Sequence, residues 1–322
     1  MIDLLGTARS SMARHRMLRP GDRVLVAVSG GPDSLALFSA LTALRRELKL
    51  TLRAAYVDHR LRPAAAKREA ALVKRLGKEW GVPVTVLLRP VRKSKKNSLE
   101  TSAREARYEA LAALAGRLRA QAIATGHTAN DQAETVLMRI LRGTGPTGLA
   151  GIPPVRMAGK LRIIRPLIGC TREQVMEHLR VRGLHPLLDR SNLSRRYMRN
   201  RIRHDLLFQL ERQYNPQIRR HLAELAETVR DDLDCLEQEA ARLWRQAARV
   251  KKGSVRFQRE LLQKAHPALQ RALYRKAVRT LRGDCQGFTR RHWQLLEELA
   301  ANGNRGALDL PHRLRAEVRA HK

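Results

Sequence analysis

Ser29-Gly30-Gly31-Pro32-Asp33-Ser34 follows directly on the apolar run Val24–Val28, VLVAV. Such a run reads as a buried strand. After the six residues, Leu35, Leu37, Phe38, Leu41 and Leu44 recur at helical spacing. The segment therefore turns a strand into a helix. Paired glycines let the backbone approach an anion, and successive N–H groups at a helix start form a positive nest. Ser29 and Ser34 can add hydroxyl donors. Asp33 beside a phosphate calls for a bridging cation, which points to Mg2+. The bland alternative is a Gly-rich turn without a ligand. Two competing phosphate patterns fail. No Walker-type glycine run ends in Lys-Ser or Lys-Thr, and the GxGxxG string from Gly143 to Gly148 follows a helix where a dinucleotide site needs a strand.

A second chemical group lies in Gly126–Thr135, GHTANDQAET. Asp131 and Glu134 are three apart, so on a helix they share a face. His127 stands at the preceding strand end. Alone it would read as a capping or core histidine; the flanking acids favour function. Asp58 and His59 end another strand, where ligands of open α/β sheets bind. His59 can as easily be structural.

The elements that must position these residues alternate from Arg23 to about Arg142. Strands are expected at Val24–Val28, Leu52–Val57, Val82–Leu88 and Ala120–Thr125. Helices are expected at Ala64–Trp80, Leu99–Leu118 and Gln132–Leu141. Repeated β-α units with right-handed crossovers predict an α/β fold, a parallel sheet with helices on both faces. Residues 143–170 are rich in Gly and Pro and read as an irregular crossover ending in a strand at Leu161–Ile164. Thr171 and Gln174 form a capping-box pattern for a helix to Arg182, with Gly183 at its C′ position. The run Arg89–Asn97 is basic and without apolar period, either a loop on RNA or a solvated charge run. A second, mainly helical domain is expected from Tyr214, giving domains at 1–213 and 214–322. Apolar residues from Ile218 to Leu243 step by threes and fours, which is one long helix. Gly253–Phe257 breaks the pattern. Helices at about 260–281 and 289–301 and a hairpin over GALDLPHRLRAEV complete it.

The 322 residues carry 64 Lys and Arg against 30 acids, a net charge of +34. Such a chain attracts polyanions, and a nucleic-acid partner is expected. Aromatics make up only 4%, which disfavours a single-strand stacking platform. Cys170, Cys235 and Cys285 show no CxxC spacing and read as isolated thiols. No apolar run approaches the roughly 20 residues of a membrane span, and the N-terminus lacks a signal-peptide core. A cytoplasmic protein with no membrane partner is expected; the sequence leaves a homodimer open.

VAVSGGPDSLAL resembles the PP-loop of the ATP pyrophosphatase superfamily, also called adenine nucleotide α hydrolase-like. Four further stretches narrow the resemblance: Tyr56–Arg62 (YVDHRLR), Ser102–Tyr108 (SAREARY), Gly126–Thr135 with Arg142-Gly143-Thr144-Gly145, and Asp189–Asn192 (DRSN) with Tyr197–Arg203 (YMRNRIR). Together they are similar to the tRNA(Ile)-lysidine synthetase family over about residues 20–215. The resemblance implies a ligase forming a carbon–nitrogen bond. ATP transfers AMP to the wobble cytidine of a CAU-anticodon tRNA(Ile), pyrophosphate leaves, and the ε-amine of L-lysine displaces AMP from C2. ATP and Mg2+ are the implied cofactors, and tRNA(Ile) and L-lysine the partners.

On that chemistry, Ser29–Ser34 holds pyrophosphate and Asp58 contacts the nucleotide or substrate. Arg104 and Arg107 clamp phosphate unless they are a solvated helix face. Asp33 and Asp131 are the metal-ligand candidates. The attacking lysine must be neutral, and at pH 7 only about one free ε-amine in 2,500 is. His127, Asp131 and Glu134 can bind the cationic lysine, bridge Mg2+ or take a proton; the sequence does not divide these roles. Asp189 and Asn192 hold a turn. Arg199, Arg201 and Arg203, read as tRNA or substrate contacts, face one way on an extended segment and spread on a helix. Family members often carry paired acids where this chain has Asn130-Asp131, and longer ones a second C-terminal domain not evident before Lys322. A PP-loop thiolase, which needs paired cysteines, and a non-catalytic basic RNA-binding protein are the rival readings.

Overall fold

The apolar strand runs become the centre of a mixed sheet. The computed structural model describes residues 3–91, 99–187, 195, 197–302 and 306–318. In chain order the first unit contains α1 (Leu4–Arg14), β1 (Arg23–Ala27), α2 (Pro32–Leu44), β2 (Thr51–Asp58), α3 (Pro63–Glu79), β3 (Val84–Leu88), α4 (Leu99–Arg117), β4 (Ala122–Ala124) and α5 (Ala129–Leu141). There follow α6 (Pro146–Leu149), β5 (Val155–Ala158), β6 (Leu161–Ile164), α7 (Arg172–Val181), α8 (Met198–Arg201), a π turn (Ile202–Leu206) and α9 (Leu207–Gln213).

The sheet order is β3-β2-β1-β4-β6-β5. All neighbours are parallel except β5, which returns antiparallel along β6 with Val155 opposite Ile164. β5 sits in the Gly/Pro-rich crossover expected to be irregular. Its four residues, Val-Arg-Met-Ala, are too few and too mixed to show a period, and pairing with β6 supplies the order. One sheet face packs α1, α2 and α7 through Phe38, Leu41, Val175 and Leu179; the other packs α4 through Leu111, Leu114 and Ala115 against Leu25 and Ile123. Both layers follow from residues buried at helical spacing, worth about 1.5–3 kcal/mol each.

α10 (Ile218–Ala247) begins in this unit and ends in the next; the chain divides at Glu227 and Thr228. Leu222 and Ala226 pack with Val136, Leu137, Ile202 and Leu207, so the first turns of α10 seal α5, the π turn and α9. The boundary expected after residue 213 lies before that seal. The second unit adds β7 (Ala248–Lys251), β8 (Ser254–Phe257), α11 (Arg259–Lys264), α12 (Pro267–Arg282), α13 (Arg290–Ala301), β9 (Gly306–Leu310) and β10 (Leu314–Val318). β9 and β10 form the expected hairpin. β7 and β8 form a second hairpin where only a break was expected, and Pro267 splits the single helix expected over 260–281. Its core gathers Leu273, Tyr274, Val278, Trp293 and Leu296.

Candidate active site

The Ser29–Ser34 loop, the candidate phosphate loop, follows the carboxyl end of β1. Gly30 turns through a left-handed conformation (φ 82°) that favours glycine. Gly31 is extended, Pro32 opens α2, and no side chain caps that helix start, which leaves its first N–H groups directed outward. Ser29 is exposed. Ser34 is not a free donor: its hydroxyl accepts from the Ser29 N–H (3.0 Å), lies 3.1 Å from Ser29 Oγ and donates to the Gly31 carbonyl (2.9 Å). It shapes the loop from within. Gly126, just past β4, presses on the same loop; a Cβ there would stand 2.9 Å from the Asp33 carbonyl carbon and oxygen.

Asp33 Oδ1 accepts from Arg172 Nη1 at 2.8 Å. Arg172 opens α7 behind the predicted Thr171–Gln174 capping box, and its backbone N–H donates to Asn130 Oδ1 at 2.9 Å. The Asp33 carboxyl is pushed above its usual range by burial; Arg172 opposes this and the charge of Asp131 adds to it. Arg172 was invisible in the sequence, where a helix-start arginine carries no signal.

Asp131 and Glu134 meet Arg199 and Arg203. Asp131 Oδ1 accepts from Arg199 Nη2 (2.8 Å) and Arg203 Nη2 (3.4 Å), while Oδ2 accepts from the Thr128 N–H at 2.9 Å. Glu134, only 1% exposed, accepts from Arg199 Nε at 2.8 Å and from both Nε and Nη2 of Arg203. Of the two arrangements left open for the three arginines, the helical one holds. They lie on α8 and the π turn, so Arg199 and Arg203, four apart, converge while Arg201 stays exposed. Burial works against the Asp131 carboxylate, but Arg199, His127, the Thr128 N–H and Arg203 outweigh it and hold its pKa below the usual range.

His127 stands between this cluster and a cationic one. Its Nδ1 lies 3.1 Å from Thr125 Oγ1. Burial, abetted by Arg165, Arg104 and Arg199 against Asp131, pushes it down to about 4, so the ring is neutral at pH 7. Asp58, last in β2, accepts from the Arg60 N–H at 2.7 Å. His59 sets Nδ1 3.1 Å from the Arg89 carbonyl and leaves a buried Nε2 without a partner. Arg104 and Arg107 are exposed on α4; the Arg104 guanidinium lies 5.3 Å from the Tyr108 ring centre. Asp189, Asn192 and most of Arg89–Asn97 lie outside the described residues.

The donor set admits Mg2+ unevenly. Asp33 has an oxygen outside the Arg172 bond and stands at the phosphate loop, which suits an ion that keeps waters and phosphate oxygens. Both oxygens of Asp131 are engaged, so it fits poorly as a ligand. Among the described residues no three His, Cys, Asp or Glu side chains cluster for a metal.

The PP-loop domain family matches residues 7–210. A tRNA(Ile)-lysidine synthase of Nostoc is 36% identical over 316 residues, 94% of this chain and 90% of that protein. The chain belongs to the tRNA(Ile)-lysidine synthase family of PP-loop proteins. The Symbiobacterium thermophilum relative of the same name is 44% identical over 292 residues, and that of Geobacter sulfurreducens 36% over 318. The chain spans 61% and 66% of their lengths, less than two-thirds of either. A U34-tRNA thiolase of Methanococcus maripaludis shares the fold with a TM-score of 0.59 at 17% identity, over 70% of this chain and 78% of that one.

Proposed function

We propose that the chain uses ATP and Mg2+ to join L-lysine to C2 of the wobble cytidine in a CAU-anticodon tRNA(Ile). Cytosine O2 attacks the α-phosphorus, the bond to the β-phosphate oxygen breaks, and pyrophosphate departs. The lysine Nε then attacks C2, loses its proton and expels AMP with O2. The observation that carries this reading is an open anion nest at Ser29–Asp33 with the Asp131–Glu134 pair close enough for the charge of Asp131 to act on Asp33. The nest binds departing phosphates, and Asp33 would hold Mg2+, which would neutralise phosphate charge when bound. Asp58, at the end of the neighbouring strand β2, contacts the nucleotide in this reading. Arg104 and Arg107 retain enough exposure to meet phosphate.

Asp131 and Glu134, oriented by Arg199 and Arg203, receive the lysine ammonium. His127, titrating near 4 among cationic neighbours, and Asp131, held below the usual carboxylate range, both keep a proton poorly, so these groups orient the amine and its proton passes on to water. His127 then serves as a neutral hydrogen-bonding group. Arg201, exposed on α8, contacts RNA, and Asp189 and Asn192 shape that approach. The second unit is read as a tRNA-binding domain and the protein as cytoplasmic. Thiolation has no cysteine pair to use: Cys170 is buried in the first unit, and Cys235 and Cys285 belong to the second. Incubation with tRNA, ATP and radiolabelled lysine tests the reading. Label should enter only tRNA bearing the wobble cytidine, with pyrophosphate released in equal amount; label independent of that cytidine, or none, rejects it.

A further inference from the structure

Beyond the phosphate loop, a second set of cations gathers at the same sheet edge with no acid to balance it. Arg165 follows the last residue of β6 and is 2% exposed. Its Nη1 donates to the Pro153 carbonyl, the Tyr108 phenol lies beside its guanidinium, and its Nε is buried without any partner. Tyr108 is also flanked by two more arginines: Arg104 at 5.3 Å from the ring centre and Arg156 of β5 at 5.2 Å. Among the described residues no carboxylate stands within ion-pair distance of Arg104, Arg156 or Arg165. The charges nearest Arg165 are those of Arg156 and Arg104.

A buried guanidinium normally has an anion, because removing it from water costs several kcal/mol. Here the compensation in the free chain is one carbonyl and one phenol, and the buried Nε–H has no partner. Stacking on Tyr108 fixes two further guanidinium groups beside it without using their hydrogen-bond donors. The group is therefore preset for an oxyanion. We propose that Arg104, Tyr108, Arg156 and Arg165 form a second oxyanion subsite that takes a backbone phosphodiester of the substrate RNA.

The nucleotide is the other source of phosphate, and the topology disfavours it. The phosphate loop ends β1, whereas β5 lies three strands away in the order β1-β4-β6-β5, about 14 Å at ~4.8 Å per strand. A triphosphate seated at Ser29–Asp33 does not also need an anchor at the β5 edge. An RNA backbone entering over that edge does, and it would bring its base past His127 toward the carboxylate pair. Arg104 would then belong to the RNA side of the site more than to the pyrophosphate side. The inference rests on the proposed RNA substrate.

Exposed Arg156 carries the test, because Arg165 is buried and its replacement endangers folding. Binding of unmodified tRNA to the full chain is measured by fluorescence anisotropy across a salt series for the parent, R156Q, R104Q and the double variant, and ATP affinity by calorimetry for each. R156Q is expected to weaken tRNA binding at least threefold, to reduce the salt slope by about one, and to leave ATP affinity unchanged. The double variant should lose less than the product of the two single losses, since both arginines serve one phosphate. Unchanged tRNA affinity and slope in R156Q, with the parent binding normally, overturns the subsite and leaves the proposed function standing. Loss of ATP affinity with tRNA binding intact assigns the anion to the nucleotide and also overturns it. A parent chain that binds no tRNA removes both.

Discussion

Glu134 is almost wholly buried, and two guanidinium groups meet its carboxyl oxygens. Removing one partner of a buried pair costs about 3–5 kcal/mol, since the remaining charge is left uncompensated. With Arg203 still in place, Arg199→Ala should fall at the low end, about 3 kcal/mol, lowering Tm by roughly 6–12 °C for a unit of this size. Calorimetry of the variant checks this; a Tm unchanged within 2 °C shows that the cluster is not the compensation it resembles. His127 gives a pH prediction with a definite sign. The unfolded ring binds a proton below about 6.5 and the folded one only near 4. The unfolded state therefore takes up more protons between those values, and stability falls as pH drops from 6.5 toward 4. Above 6.5 this residue contributes no pH dependence. Its Cε1–H resonance should titrate near 4, and a midpoint near 6.5 would contradict the burial. These residue pairings were the least legible part of the sequence. The acids, His127 and the arginines were all picked out by type, but their partners were not, because a pairing across about 65 residues depends on how two helices meet. Arg172 and Arg165 carried no local signal at all.

At the scale of elements the sequence was far more readable. β1, β2, α3, α4 and α7 fall within two residues of the boundaries that period and capping suggest, because each buries a face whose spacing is written locally. Where pairing rather than period makes the element, as in β5 and the β7–β8 hairpin, the sequence was silent. The π turn at Ile202–Leu206 belongs to the same class: nothing in RNRIRH announces it. The contact between Gly126 and the phosphate loop is an element-scale constraint with a functional consequence. Gly126→Ala inserts a methyl 2.9 Å from the Asp33 carbonyl, so the loop or the end of β4 must shift. ATP affinity should drop at least tenfold while the chain stays folded, as calorimetric titration and circular dichroism would report together. α10 makes a second constraint. A chain ending at residue 213 loses Ile218, Leu222 and Ala226 from the cover over Val136 and Leu207. Uncovering a leucine-sized core position costs about 2–5 kcal/mol. The 1–213 chain should accordingly melt lower than a 1–227 chain in parallel thermal scans, and equal melting points would remove that role for α10.

For the molecule as a whole the dominant property is its charge of +34, which neither the core nor the local site requires. Such an excess destabilises the compact state by self-repulsion, so its retention argues for a polyanion that offsets it. With an RNA substrate, affinity comes largely from counterions released at each phosphate contact, and it must decline steeply with salt. Six to ten contacts would cost about 10³–10⁵ in tRNA affinity between 50 and 200 mM salt. ATP bound at the proposed Ser29–Asp33 nest would be held by directed hydrogen bonds in a partly buried loop, where screening matters less. The two ligands should therefore separate in a salt titration: tRNA affinity collapsing over that range while ATP affinity changes by less than about tenfold. Parallel slopes for both would mean that the surplus charge acts on the nucleotide site and does not serve the RNA. A flat tRNA slope would mean that the arginines are paired or solvated in the complex, and that the basic composition has a cause other than substrate binding.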